Sequence, residues 1–186
     1  IFVVDNDASQ VQIFAPPGTF VTAGTTLSPA PENIWIHGDE VLLTDPSERV
    51  LRFTLTGELV SSWGKSGSEP GNFSCIGAVT TTSDGSAIVA DWGNKRLQRF
   101  TENGTFLSLV VLSPFSISEY WLANDLWIDR DDYIYLTDRD ASQILKLNLA
   151  GDLGLVFNVS YVELRGKRLV NVIGAGPAPV LPPLSW

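Results

Sequence analysis

SAIVADWGNKRLQRF, residues 86–100, is the stretch that decides the fold. Its first half is rich in Ile, Val and Ala, Asp91 opens a turn carrying Gly93 and Asn94, and Leu97 and Arg99 then alternate with Gln98 and Phe100. Asp and Asn bond their own backbone in turns, and period-two alternation marks a strand, so the stretch reads as a β-hairpin. The same grammar recurs as IFVVDNDASQVQIF from residue 1, VLLTDPSERVLRF from residue 41 and YIYLTDRDASQILKL from residue 133. Any functional reading must first explain this repeat.

The turn aspartates Asp5, Asp45, Asp91 and Asp138 are spaced 40, 46 and 47 residues apart, and the glycines of the following turns, Gly18, Gly57, Gly104 and Gly151, 39, 47 and 47. A period in the forties with several short strands per unit is that of a propeller blade; helical repeats would show apolar residues about 3.6 apart. The first unit predicts strands over residues 1–4, 11–14 and 19–23 and lacks its innermost strand. The second predicts four, over 33–37, 41–44, 50–54 and 59–63, and the third four, over 76–82, 86–90, 97–101 and 106–112. The fourth predicts strands over 122–129, 133–137, 144–148 and 153–157.

Two further β-rich runs, 161–164 and 168–173, precede GAGPAPVLPPLSW, whose four prolines cannot donate inside a sheet. The expected division is blades over residues 1–160, then a closing strand and a Pro-rich extended tail over 161–186. RLVNVIG, residues 168–174, is expected to supply the strand that the first unit lacks, because an unpaired sheet edge is a pairing hazard.

With 186 residues, 44% of them hydrophobic and 18% charged, the chain can bury a core without help. A single cysteine, Cys75, rules out an internal disulfide and is expected to be a small buried residue. The formal charge of −9 opposes binding to a phosphate backbone, and Arg165, Lys167 and Arg168 read as a solvated edge. No apolar run is long enough to span a bilayer. The absence of methionine, position 1 included, and the entry in mid-hairpin lead to the expectation of a processed product or a piece of a longer chain.

Val89, Asp91, Asn94, Arg96, Gln98, Phe100 and Gly104 follow a strand, Asp turn, Arg, Gln-x-Phe strand and Gly turn, and Trp63, Gly64, Gly67, Gly71 and Phe73 precede them as an aromatic-Gly loop. In these residues, and over about residues 1–157, the chain resembles the NHL-repeat family of β-propellers. The tail IGAGPAPVLPPL is similar to the closing segment of some large microbial NHL-like proteins. The resemblance implies an all-β propeller of about four four-stranded blades, open or incomplete, since such propellers usually close with about six.

The family includes an amidating lyase with zinc-binding histidines and an antibiotic lyase with a catalytic histidine. His37 is the single histidine here, and with Cys75 the only other soft ligand a histidine-rich zinc centre is excluded on inventory. No G-x-S-x-G turn exists to pair His37 with a nucleophilic serine, so His37 reads as a strand-end residue. Gly64-Lys65-Ser66 lacks the first glycine and the helix of a P-loop. The acidic runs Asp5/Asp7, Asp129/Asp131/Asp132 and Asp138/Asp140 lack the spacing of a calcium loop; the repeated Asp reads as a turn residue accepting backbone amides, with Arg49 and Arg96 adding ion pairs to Asp45 and Asp91 that contribute well under about 1 kcal/mol if exposed.

Trp35 and Trp127 hold equivalent inner-strand positions, which favours packing between blades, as for the set that also includes Trp63, Trp121 and Trp186. Trp92, in a turn, and its neighbour Lys95 are individual to their copy and are the expected surface contact. Sequons at Asn72, Asn103 and Asn158 fall in a loop, a tight turn and just after a strand, which leads to the expectation of N-linked glycans and an extracellular, secreted life.

The expected function is a non-catalytic extracellular interaction or structural module, not an enzyme, with no catalytic, metal or cofactor site. Its expected partners are proteins, or further copies joined head to tail through blade edges and the C-terminal tail, with no nucleic acid and no membrane span. The alternative from another class is a lyase or hydrolase working at the propeller's central mouth. An RNA-binding NHL domain is a third, opposed by the charge.

Overall fold

The computed structural model describes residues 1–5, 7–24, 27–112, 126–138, 142–164 and 167–177, with side chains described as far as Phe157. Every regular element among them is a β-strand, and the chain divides into two compact units, Ile1–Ser116 and Ile117–Trp186.

The first unit holds three antiparallel meanders. β1 (Phe2–Asp5), β2 (Gln10–Ala15) and β3 (Thr19–Ala23) make a three-stranded sheet. β4 (Asn33–His37), β5 (Glu40–Asp45), β6 (Arg49–Thr54) and β7 (Leu59–Trp63) make a four-stranded one, as do β8 (Ile76–Thr81), β9 (Ala87–Asp91), β10 (Arg96–Phe100) and β11 (Phe106–Val111). Residues alternate between the faces of a strand, and here both faces are used. Leu42 and Val50 leave one face of the second sheet and pack with Ile76, Val79, Ala87, Val89 and Phe100 of the third. Val41, Leu43 and Leu51 leave the opposite face and meet Phe2 and Val11 of the first. That double burial explains why VLLTD is a continuous apolar run without polar alternation.

Phe100 is the centre of the junction between the second and third sheets. Its ring lies 5.6 Å from that of Phe73 and 6.0 Å from those of Trp63 and Phe106. Gly104, at φ +82°, turns the chain beneath Trp63; a Cβ there would lie 2.6 Å from the indole. The glycine of this turn is thus needed both for its backbone angle and for the close approach.

The second unit holds one sheet of five strands in sequence order: β12 (Leu126–Ile128), β13 (Ile134–Asp138), β14 (Gln143–Leu147), β15 (Leu153–Leu164) and β16 (Lys167–Pro177). Two expectations are corrected here. The 168–174 run does not complete the first sheet: β16 pairs with β15, Leu164 opposite Lys167, because a strand next in sequence closes a far shorter loop than one at the other terminus. Asn158 lies inside β15, opposite Gln143, and not after a strand. Trp121, Asp140, Arg165, Trp186, the first residues of the expected 122–129 strand and the tail beyond Pro177 lie outside the described residues. No helix among the described residues is long and apolar enough to cross a membrane.

Candidate functional site

The β9–β10 hairpin, which carries Asp91, Trp92, Asn94, Lys95 and Arg96 in one turn, is built as a latch. The Asp91 carboxylate is fully buried and accepts from the Ser74 amide at 2.8 Å, Asn94 Nδ2 at 3.0 Å, Arg96 Nε at 2.7 Å and Gln98 Nε2 at 2.9 Å. The donors in turn hold the loop between β7 and β8. Arg96 Nη2 donates to the carbonyls of Glu69 and Asn72, both at 3.0 Å, Asn94 Nδ2 to that of Gly67 at 3.0 Å, and Gln98 accepts from the Gly71 amide at 2.8 Å. Asp91, Asn94, Arg96 and Gln98 thus pair with one another and with loop backbone that would otherwise be buried unpaired. Arg96 and Asp91 form the ion pair expected from sequence, and it is buried. Arg49–Asp45 joins a partly exposed arginine to a fully buried carboxylate.

Trp92 corrects a further expectation. It is buried, not a surface contact, because Gly77 on β8 leaves room for it: a Cβ on Gly77 would fall 1.6 Å from the indole Nε1. Lys95 is half-buried in the same turn, at φ +52°. Cys75 is exposed, not buried; Glu48 accepts from its amide at 2.9 Å and from that of Ile76 at 2.7 Å, which fixes the start of β8. Asn72 is half-buried, with its carbonyl taken by Arg96 and Gln98, and Asn103 is exposed at its turn, its Oδ1 3.4 Å from Arg52 Nη1.

The other ends of the strands carry a different set of groups. Arg52, buried on β6, donates through Nε to Glu40 at 2.8 Å and also pairs with Glu102 of the third sheet. The Glu40 hydrogen bond raises the already high pKa of Arg52 against the cost of burial, so the guanidinium stays charged. Across the β4–β5 ladder from Glu40 stands His37, exposed at the end of the first strand of its sheet. Trp35, two residues earlier, donates its indole N–H to Thr81 on β8 at 3.0 Å, so the first strands of the second and third sheets meet there.

A second charged cluster lies in the second unit. Asp129 accepts from the Tyr135 hydroxyl at 3.0 Å and from Lys146 Nζ at 3.4 Å, and Lys146 sits 4.0 Å from the centre of the Tyr133 ring. Burial opposes ionisation of Asp129, but the amides of Tyr133 and Asp131 and the Tyr135 hydroxyl prevail and hold its pKa below the usual carboxylate value. Between the first and second sheets a cavity of about 210 Å³ is lined by Phe2, Val11, Leu27, Val41, Leu43 and Phe53, with no titratable group in its lining. That cavity suits an apolar guest and offers no acid or base.

No family model matches the sequence, and no curated protein matches it. In fold it is similar to solved β-propellers. A streptogramin B lyase structure, 11% identical, covers 92% of this chain with a TM-score of 0.66, and the match takes in 64% of that protein. The catalytically inactive histidine-to-alanine form of virginiamycin B lyase from Staphylococcus aureus, solved with quinupristin, covers 92% at 14% identity and a TM-score of 0.63. A protein of unknown function from Bacteroides caccae covers 85% at 14% identity and a TM-score of 0.60. The fold is therefore a β-propeller one, and the chain spans about two thirds of the length of these proteins. The expectation that the chain is not an enzyme is corrected by these likenesses, since the solved folds it shares include lyases.

Proposed function

We propose that the chain is a propeller lyase or hydrolase acting at a central propeller mouth, with His37, at the end of β4, as the proton-transferring group. The observation that carries this reading is the agreement in fold with two lyases over 92% of the chain, one of them inactivated by loss of a histidine. Imidazole is the side chain most often used for proton transfer in catalysis. In an elimination, His37 would take a proton from the carbon beside the leaving group, whose bond breaks with its electron pair as the double bond forms. In a hydrolysis it would take the proton from the attacking water. Glu40, held by Arg52, supplies a fixed negative charge across the ladder. The blade grammar is of the NHL kind, and the alternating Asp-turn hairpins support that assignment.

The test is incubation of the chain with quinupristin, followed by mass spectrometry. Ring opening by elimination leaves the mass unchanged while shifting the retention time; hydrolysis adds one water. His37→Ala should slow consumption about 10²–10⁴-fold. Consumption no faster than in buffer, or equal in wild type and variant, sinks the proposal.

A further inference from the structure

The blade-to-blade junction occurs twice inside the first unit, and each half of it is found once more without a cover. In the third sheet Ala87, Phe100 and Phe106 stand in one ladder row, with Val89 one pleat away, and this face packs on the second sheet. In the first sheet the same row is Ile1, Phe14 and Phe20, with Val3 one pleat away. Ala87, Val89 and Phe100 are buried, whereas Ile1 is 62%, Val3 42% and Phe20 56% exposed. An apolar row built to the same register and left open is the front half of a junction.

The back half recurs in the fourth sheet. In the second sheet Trp35, Leu42 and Arg52 share a row and face the third sheet, Trp35 and Leu42 in its apolar junction and Arg52 through Glu102. The equivalent row of the fourth sheet is Trp127, Tyr135 and Lys146. The Trp127 ring stacks 5.3 Å from Tyr135, yet Trp127 is 51% and the adjoining Tyr133 38% exposed.

We propose that these two faces bind each other between copies: the Trp127–Tyr135 face of one chain covers the Ile1–Phe14–Phe20 face of a second. The occupant is identified by the repeat itself, because in this chain the Ala87–Phe100–Phe106 front face of the third sheet is covered by the Trp35-bearing back face of the second. The route differs from the one expected from sequence, in which strand edges and the C-terminal tail would join copies; β16 is already engaged with β15. The contact is head to tail, so it closes as a ring or continues as a filament. Copies with a net charge of −9 repel one another, so added salt should strengthen the association of these apolar faces.

Sedimentation of the unglycosylated chain should give at least twice the 20.2 kDa of one copy. Phe20→Glu and Trp127→Glu change exposed side chains, and far-UV circular dichroism checks that each variant folds. Each alone removes one half of every junction and should be monomeric. Mixed in equal amounts they retain one intact pair of faces and should form a dimer that grows no further. A monomeric wild type at about 100 μM, a concentration well above the dissociation constant of an ordinary interface, overturns the proposal. So do variants that still assemble, or a mixture that stays monomeric.

Discussion

The first and third sheets are built on the same hairpin grammar and live in opposite surroundings. Phe100 and Phe14 hold the same row, yet Phe100 is sealed between sheets by Phe73, Trp63 and Phe106, whereas Phe14 meets mainly Phe20 at 5.7 Å on an open face. Asp91 and Asp5 open the same turn, yet Asp91 serves a loop from the preceding sheet, whereas the described partners of Asp5, the Ala8 amide and Gln12, belong to its own hairpin. What a repeated residue contributes is thus set by the sheet before it in the row. Its own sequence neighbours decide far less.

The comparison can be broken most directly by large-to-small changes. Phe100→Ala should cost about 3–5 kcal/mol in denaturant unfolding, as deletion of a fully packed ring does. Phe14→Ala should cost about 1 kcal/mol, since it removes a half-exposed ring. Equal losses at the two positions would contradict the assignment of the front face as uncovered.

Next come the turn aspartates. Asp91→Ala strands Arg96 as a buried unpaired charge and should cost about 3–5 kcal/mol. Asp5→Ala loses two hydrogen bonds at a half-buried turn and should cost about 1–2 kcal/mol. Hydrogen exchange sharpens the contrast: Asp91→Ala should release the amides of Gly71 and Ser74, while Asp5→Ala should leave them protected.

The smallest effect is the acid limb of stability. The Thr82 hydroxyl and the Ser86 amide hold the Asp84 carboxyl well below its ordinary pKa, and Asp129 is lowered as well. A depressed folded-state pKa gives stability that is present above the unfolded value and lost as pH falls through the folded one. Unfolding free energy should therefore be flat between about pH 7 and pH 5 and decline below about pH 4. Asp84→Asn should flatten that decline, and a slope unchanged by it would remove Asp84 from the account.

Much of this was legible in the chain as written. Strand alternation in RLQRF, the turn at Asp91 and the recurrence of Asp and Gly markers are local features, and β1 to β11, β13 and β14 lie within a residue or two of where they predict them, whereas β15 runs seven residues past its expected end. The role proposed for the histidine was not legible in the same way: His37 has no sequence neighbour that marks it. Only its place at the end of β4, across from an Arg52-held Glu40 and in a fold shared with lyases, brings it forward. Trp92 shows the reverse error. A turn position suggested exposure, and the missing side chain of Gly77, fifteen residues earlier on another strand, makes a buried slot for it.

By itself, then, the sequence determined the hairpin, its period and the residues that close each turn, because those depend on backbone angles and on hydrogen bonds a few residues apart. The tertiary structure alone decided which copies are buried, which strand β16 joins and which two faces are left open. Those outcomes depend on what stands about 10 Å away across a sheet junction, the spacing at which facing sheets pack, and four hairpins of one pattern carry no local mark of it.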